Sequence, residues 1–179
     1  CEHPNVYTLG AHGKSANMLI DDRMLEKIGA TFHKTDRGGD ITFHGYGQMV
    51  AYPIFDLNRL GIGLRDYIYG LEEAVIATIA HWDIKGGRSE GATGVWCDTK
   101  GALSKICAIG VKASHFVTMH GLALNVNTDL DYFTYINPCG FTDRGVTSIE
   151  ALTGGRVDME TVKRRFVKEM ERIFDIEIK

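Results

Sequence analysis

The sequence has little of what marks several specialised protein classes. It contains three prolines and four cysteines, no cysteines spaced as Cys-x-x-Cys, and no stretch approaching 18 uninterrupted apolar residues. The cysteines therefore argue against a disulfide scaffold or zinc ribbon and favour a reducing, cytoplasmic setting, and no membrane-spanning segment is expected. The 20 Lys and Arg nearly balance 23 Asp and Glu, and a net charge of −3 argues against a dedicated nucleic-acid-binding protein.

Length and composition are those of an ordinary globular protein. The chain has 179 residues, of which 44% are hydrophobic and 24% are charged. These values predict a single domain over residues 1–179 with a sizeable core. The chain starts Cys1-Glu2-His3-Pro4, with neither Met nor a signal-like stretch, so we expect an N-terminal segment to be missing before residue 1.

Two segments show the period of amphipathic helices. Apolar residues recur at spacings of three and four in both segments, and Asp158 precedes the second segment as an N-cap. The apolar positions are Leu64, Ile68, Leu71, Val75 and Ile79 in the first segment, and Val162, Phe166, Met170 and Ile173 in the second.

The middle of the chain favours strands. Short runs rich in β-branched and aromatic residues occupy residues 41–43, 49–55, 106–111, 116–119 and 122–126. His120-Gly121 separates two of the runs and predicts a turn, and residues 86–100 predict a loop because they are rich in Gly and polar residues. Together with the two helices, this pattern predicts an α+β fold with a mixed, mostly antiparallel sheet flanked by helices.

Residues 37–48 hold four glycines within twelve positions. Glycine allows positive φ and a close approach of the backbone to a ligand, and Arg37 and His44 add a fixed cation and a titratable ring. The glycine spacing is neither that of a Walker A loop nor that of GxGxxG. Residue types alone leave open a turn between strands and a loop that cradles a substrate.

Cys139 lies between Pro138 and Gly140, a context that can place a thiol on a sharp turn. A free thiol has a pKa of about 8.5, so a catalytic cysteine needs a nearby cation or base, for which Lys105, His44 and His120 are candidates. The ordinary alternatives are a buried, inert Cys139, a surface Lys105 and a turn histidine at position 120. A metal site formed by His44, His120 and Cys139 lacks a local ligand pair, so no metal is expected. Cys97 and Cys107 lie among apolar residues and are predicted to be buried in the core. Cys1 is predicted to lie at a frayed end of the chain.

Read in order, the motifs resemble those of the lipoate-biosynthesis octanoyltransferases, the lipoyl(octanoyl) transferases. The resemblance covers residues 2 to about 152 and implies the fold of the biotin/lipoate protein ligase catalytic domain. The matching segments are Glu2-His3-Pro4, Tyr7-Thr8-Leu9-Gly10, Arg37-Gly38-Gly39-Asp40-Ile41-Thr42-Phe43-His44-Gly45 with Gln48, Tyr52-Pro53, Gly94-Val95-Trp96, Lys105-Ile106-Cys107-Ala108-Ile109-Gly110, His120-Gly121-Leu122-Ala123-Leu124-Asn125, Pro138-Cys139-Gly140 and Thr147-Ser148.

The resemblance implies a cytoplasmic acyltransferase that needs no cofactor. It implies transfer of an octanoyl group from octanoyl-acyl carrier protein to a lysine of a lipoyl domain, with Cys139 as the acyl-thioester nucleophile and Lys105 as its partner. The implied acceptors are lipoyl domains of 2-oxoacid dehydrogenase E2 subunits and the glycine cleavage H protein, and neither nucleic acid nor a membrane is an implied partner. The implied substrate-binding residues are Arg37, Gly38, Gly39, Asp40, Ile41, Thr42, Phe43, His44, Ala108, Ile109, Gly110, Gly121, Leu122 and Ala123.

Three other functions remain open from the sequence. They are an ATP-dependent lipoate–protein ligase of the same fold, a papain-like thiol hydrolase with His120 or His44 as base, and a carrier-protein or lipid-binding module.

Two further features bear on the family resemblance. Tyr46 stands where the family usually has Pro, which we expect to alter the mobility of the loop or the acyl pocket. Acidic partner domains would also require a positive face. The candidates for that face are Arg23, Lys34, Arg37, Arg88 and residues 163–165.

Overall fold

The computed structural model describes residues 1–137 and 145–178. The strands in these residues are β1 (Val6–Leu9), β2 (Thr31–Lys34), β3 (Ile41–His44), β4 (Gln48–Ala51), β5 (Gly86–Ser89), β6 (Ala92–Thr99), β7 (Ala102–Ser114), β8 (Val117–Asn125) and β9 (Gly145–Val146). The α-helices are α1 (Asp22–Lys27), α2 (Leu57–Leu60), α3 (Leu64–Ala80), α4 (Ile149–Thr153) and α5 (Met159–Phe174), and 3-10 helices span Ser15–Asn17 and Leu130–Tyr135. This composition confirms the predicted α+β class.

A small three-stranded sheet has the order β2-β1-β3, with β1 parallel to β2 and antiparallel to β3. Its core combines aliphatic side chains with a group of aromatic rings. Tyr7 and Phe43 are 0% and 1% exposed, and the Phe43 ring stacks on Tyr132 at 4.7 Å between centroids. The Tyr7 hydroxyl donates to the Tyr132 carbonyl at 2.8 Å, which ties the sheet to the second 3-10 helix.

The larger sheet has the order β4-β8-β7-β6-β5, with antiparallel neighbours throughout. Along one edge of β7, β8 pairs with residues 107–114, and β9 pairs in parallel at Ser104 and Lys105. Lys105 therefore lies where three strands meet. The predicted mixed, mostly antiparallel sheet is confirmed.

Helices α3 and α5 form one hydrophobic cluster with this sheet, as their apolar stripes predict. Within α3 the stripe is fully buried only towards its C-terminal end, and Leu64 remains 40% exposed. Asp158 caps α5 as predicted, because its side chain accepts from the backbone N–H of Thr161. Among the described residues, no helix is both long and apolar enough to cross a bilayer.

Residues 86–100, predicted to be a loop, instead form the β5–β6 hairpin. The glycines there allow close packing as well as turning. A Cβ on Gly86 would lie 2.7 Å from the Ile79 side chain of α3, and one on Gly94 would lie 2.5 Å from the Cys107 carbonyl. The glycines led to the prediction of a loop, although here they occur in strands that pass very close to neighbouring elements.

The predicted turn at His120-Gly121 is also wrong, because β8 runs through both residues in register with β7. His120 has φ +63°, a left-handed conformation, although its pairing with Val111 is kept. The predicted strand at residues 49–55 ends at Ala51, two residues before Pro53.

Candidate active site

A cavity of about 670 Å³ lies between the two sheets. Lys105 lines the cavity together with every predicted substrate-binding residue except Phe43, whose ring lies in the core of the small sheet. The wall thus brings together Arg37, Gly38, Gly39, Asp40, Ile41, Thr42, His44, Ala108, Ile109, Gly110, Gly121, Leu122 and Ala123. Cys139, with Pro138 and Gly140, lies outside the described residues.

Small residues on one face of β7 and β8 make room for this cavity. Ala108 pairs with Ala123 and Gly110 pairs with Gly121, whereas the alternating neighbours belong to the helix-side core. Those neighbours are Cys107, Ile109, Leu122 and Leu124. The small residues of β7 and β8 therefore leave room for the cavity, and Ile109 and Leu122 border it as well as the helix-side core.

Gly121 lies where the chain at the end of β4 approaches β8 closely. A Cβ at this position would overlap the Ala51 carbonyl and lie 2.9 Å from the Pro53 ring. We expect Gly121→Ala to lower the free energy of unfolding by about 2 kcal/mol, because backbone must move to admit the methyl group. Gly155→Ala is the matched control, since nothing lies within 4 Å of its Cβ. Denaturant titration of both variants measures the difference, and equal stabilities would contradict the expected close approach.

The Arg37 guanidinium braces the glycine-rich loop. Its Nη2 donates to the carbonyls of Thr8 and Asp40, both at 2.6 Å, its Nη1 to the Gly38 carbonyl at 3.0 Å, and its Nε to the Thr8 hydroxyl at 3.1 Å. These contacts join residues 37–40 to β1 and fix the loop over the cavity. The loop also touches β7, since Gly38 donates from its backbone N–H to the Val111 carbonyl at 3.1 Å.

A buried chain of side-chain hydrogen bonds crosses the cavity wall. Asn125 donates to the Thr147 carbonyl at 3.0 Å, so its Oδ1 accepts from Gln48 Nε2 at 2.9 Å. The Gln48 Oε1 then accepts from His44 Nδ1 at 2.9 Å, which places the imidazole proton on Nδ1. His44 Nε2 accepts from the Thr8 hydroxyl at 3.3 Å, the group that Arg37 also contacts. The chain fixes the tautomer of His44.

This environment keeps His44 neutral. Burial lowers the pKa of His44 from 6.5 to about 4; the Gln48 hydrogen bond opposes the shift, and the charges of Arg37 and His3 add to it. Its Nε2 lone pair accepts from the Thr8 hydroxyl. His44 therefore connects Thr8 and Gln48 in the wall of the cavity through hydrogen bonds.

Lys105 extends from β7 across the neighbouring strand β6. Its Nζ donates to the Thr93 carbonyl at 3.2 Å and lies 4.6 Å from the centre of the Trp96 ring, a cation–π distance. Its Cε would lie 3.5 Å from a Cβ on Gly94, an ordinary van der Waals distance, so the lysine stem passes alongside this residue. The amine is half-buried at the cavity wall.

Asp36 bridges two elements at the rim of the cavity. Its carboxylate contacts Lys112 of β7 at 2.7 Å and His120 of β8 at 2.8 Å. Hydrogen bonds from Lys112 and His120 lower the pKa of Asp36 to about 2. These contacts connect the start of the glycine-rich loop to the larger sheet, and they make Asp36 a hydrogen-bond partner of the His120 ring.

Two sequence expectations look different in the structure. The Tyr46 ring is 69% exposed and is not among the residues that line the cavity. Of the candidates for a positive face, Arg37 is engaged by Thr8 and Asp40, and Arg88 forms ion pairs with two glutamates of α3.

Sequence reasoning left several site residues unassigned. Thr8, Gln48 and Asn125 were noted only as parts of motifs, yet all three line the cavity. The clearest missed signal is Glu72, a carboxylate that falls within the apolar stripe of α3 and is 7% exposed. Within residues 1–137 and 145–178, no three His, Cys, Asp or Glu side chains cluster as metal ligands.

Curated relatives resemble the chain over nearly its whole length. It is 58% identical over 172 residues to an octanoyltransferase of Bacteroides fragilis, covering 95% of this chain and 77% of that protein. An octanoyltransferase of Cytophaga hutchinsonii is 48% identical over 180 residues, covering 99% and 74% of the two chains.

Solved structures of low sequence identity share the fold. A bipartite lipoate protein ligase from Thermoplasma acidophilum superposes with a TM-score of 0.77 at 15% identity, covering 99% of this chain and 71% of the other. A biotin protein ligase from Aquifex aeolicus, in complex with biotin and ATP, gives a TM-score of 0.61 at 16% identity, covering 96% and 70%. These neighbours confirm the predicted resemblance to the biotin/lipoate protein ligase catalytic domain.

The family model described as the lipoyl protein ligase A/B catalytic domain matches residues 1–171. With a match of that length, and with relatives at about half identity or more over almost all of its residues, the chain belongs to the lipoyl protein ligase A/B catalytic domain family.

Proposed function

We propose that the protein transfers an octanoyl group from octanoyl-acyl carrier protein to the lysine of a lipoyl domain, with Cys139 as the intermediate acyl carrier. The observation that carries the proposal is the placement of Lys105 on the wall of the same cavity as residues 37–42 and the small-residue face of β7 and β8. The family membership and the octanoyltransferase relatives support it.

The first step of the proposed reaction is thioester exchange. The Cys139 thiolate attacks the acyl carbonyl, a new C–S bond forms, and the bond from that carbon to the carrier sulfur breaks. The carrier sulfur leaves as a thiolate, which takes a proton from the Lys105 ammonium. A neighbouring cation favours the attacking thiolate, and each unit of pKa depression corresponds to about 1.4 kcal/mol.

The second step needs the opposite proton movement. The amine of the acceptor lysine attacks the Cys139 thioester, a C–N bond forms and the C–S bond breaks. The amine loses one proton, which Lys105, now neutral, accepts. After one turnover Cys139 is again a thiolate and Lys105 an ammonium, because the proton lost to the carrier thiol is replaced by one from the acceptor amine.

The cavity suits an acyl chain better than a charged group. Its volume of about 670 Å³ lies in the range usual for small-molecule sites, and apolar residues line it beside the polar chain at His44. Those apolar residues are Val6, Val50, Ile68, Ile109, Val111 and Leu122.

The acceptors proposed are the lipoyl domains of 2-oxoacid dehydrogenase E2 subunits and the glycine cleavage H protein. The Thermoplasma acidophilum ligase of similar fold is described together with its E2 lipoyl domain. We place the reaction in the reducing cytoplasm, because an oxidised Cys139 cannot attack a thioester.

A transfer assay without nucleotide separates this function from its alternatives. The protein is mixed with octanoyl-acyl carrier protein and an unmodified E2 lipoyl domain, and mass spectrometry follows the lipoyl domain. We expect one octanoyl group on its acceptor lysine without ATP. Modification only with free octanoate and ATP would instead identify a ligase, release of free octanoate a hydrolase, and binding without turnover a carrier module.

A further inference from the structure

The Lys105 amine contacts a peptide group of β6. Its Nζ donates to the Thr93 carbonyl, and its stem crosses Gly94, where a Cβ would lie 3.5 Å from Lys105 Cε. The peptide group between Thr93 and Gly94 therefore contributes to the position of the amine.

A buried carboxylate holds the other side of the same peptide. Glu72 Oε1 accepts from the Gly94 N–H at 2.9 Å, in a contact that is fully buried. In a trans peptide the N–H and the C=O point in opposite directions within one plane. The carboxylate of Glu72 and the ammonium of Lys105 thus flank one peptide, whose dipole points its positive end at the anion and its negative end at the cation.

Glu72 is kept in place by Arg88. Its Oε2 accepts from Arg88 Nε at 2.9 Å, while Arg88 Nη2 contacts the Glu73 carboxylate at 2.9 Å and the Tyr69 carbonyl at 3.0 Å. The side chain of Glu72 is 10% exposed and that of Glu73 is 42% exposed. Of these two glutamates, Glu72 is the one that contacts the peptide beside Lys105.

The charges of Glu72 and Lys105 both influence the Cys107 thiol. The Cys107 thiol is fully buried, and its pKa is raised mainly by burial; the charge of Lys105 opposes this rise and that of Glu72 adds to it. Both charges therefore act on the Cys107 thiol, with opposite signs.

We propose that Glu72 is a positioning residue for Lys105, acting through the peptide between Thr93 and Gly94. It fixes the site of the amine and stabilises its protonated form, which the first step of transfer requires. The proposal rests on the catalytic role proposed above for Lys105. Besides Cys139, its proposed reaction partner, the charged and titratable groups linked to the amine within the described residues include Glu72 and Glu73 of α3, Arg88 of β5 and Cys107 of β7.

Labelling of the Lys105 amine tests the proposal without turnover. Wild-type protein is treated briefly with acetic anhydride over a range of pH, and mass spectrometry of the Lys105 peptide gives the midpoint of its reactivity. We expect Glu72→Gln to lower this midpoint by about one pH unit, since one negative charge is lost across a single peptide group. Glu73→Gln is the matched control and is expected to leave the midpoint unchanged, because its carboxylate touches Arg88 but not the peptide.

The same variants give a kinetic readout. The limb of the pH–rate profile of octanoyl transfer that depends on Lys105 is expected to move with the labelling midpoint in Glu72→Gln and to stay in place in Glu73→Gln. If Glu72→Gln does not fold, Arg88→Gln is the second variant. It removes the partner of the Glu72 carboxylate, and the unpaired carboxylate is expected to raise the labelling midpoint of Lys105.

An unchanged midpoint in Glu72→Gln, an equal shift in both glutamate variants, or a shift of the wrong sign in Arg88→Gln would overturn the positioning role. A wild-type protein that does not transfer octanoate would overturn the proposed function instead, and the labelling result would still report the contact between Glu72 and Lys105.

Discussion

Replacing Lys105 with Met is expected to slow octanoyl transfer by about 10³-fold, the usual range for loss of a positioned acid–base group. Methionine retains an apolar stem that can lie on the Trp96 ring, but it removes the ammonium beside the Thr93 carbonyl. The carrier thiolate then leaves without its proton donor, and the acceptor amine loses its base. Single-turnover rates for formation of the octanoyl-enzyme and for its transfer measure the two losses separately.

Lys168→Met provides the control for this loss. Lys168 is exposed on α5, so its removal changes the net charge by the same amount without touching the cavity. We expect its rates to equal those of the wild type. A loss below tenfold in Lys105→Met, with a larger loss in His120→Ala, would contradict the lysine mechanism and favour a thiol–histidine pair.

Acid is expected to remove about 3 kcal/mol of folding free energy through His44 alone. The pKa of the His44 side chain is about 4 in the folded protein and 6.5 in the unfolded chain. Between these two pH values the unfolded chain binds a proton that the folded protein does not bind. The stabilising contribution is therefore complete above pH 6.5 and is lost as the pH falls from 6.5 to 4. Urea titrations at pH 7.5 and pH 4.5 measure the difference.

His44→Gln is expected to remove this part of the acid response, because glutamine stays neutral throughout the range. His33→Gln, at an exposed position of β2, is expected to retain the full response of the wild type. The comparison isolates His44 from the carboxylates that titrate in the same range. An acid response of equal size in both variants would contradict the buried, neutral imidazole.

The sequence predicted best those elements whose pattern depends on one buried face. The stripes of α3 and α5 repeat over several turns, and each helix buries its stripe against the larger sheet. The β5–β6 hairpin was missed because Gly86 and Gly94 suggest a loop, although their missing side chains instead allow α3 and β7 to approach. His120 suggested a turn because nothing in a local pattern shows that pairing with Val111 continues through a left-handed residue.

The site was predictable where a motif is contiguous and not where it depends on contacts between distant elements. Residues 37–42 and 108–110 were assigned to substrate binding through the family resemblance of contiguous motifs, and they line one cavity. The chain from Thr147 through Asn125 and Gln48 to His44 joins residues up to 103 positions apart, since position 147 minus position 44 is 103. No spacing rule encodes such contacts.

Glu72 shows what could have been found from the sequence. It lies four residues after Ile68 and seven before Ile79, on the stripe that predicts burial of the helix. A carboxylate on a buried stripe requires a partner, because an isolated charge is costly to bury. The identity of its partners, the Gly94 N–H and Arg88, depends on how the β5–β6 hairpin packs on α3.

Mass spectrometry of the protein after mixing with octanoyl-acyl carrier protein, in the absence of an acceptor, tests whether Cys139 carries the acyl group. The chain supplies internal controls in the exposed Cys1 and the buried Cys97 and Cys107. We predict one octanoyl group per chain, located by peptide mapping on Cys139, released by hydroxylamine and passed to an E2 lipoyl domain when that domain is added. An active protein that carries no octanoyl group, or carries it on Cys1 alone, would contradict the thioester mechanism.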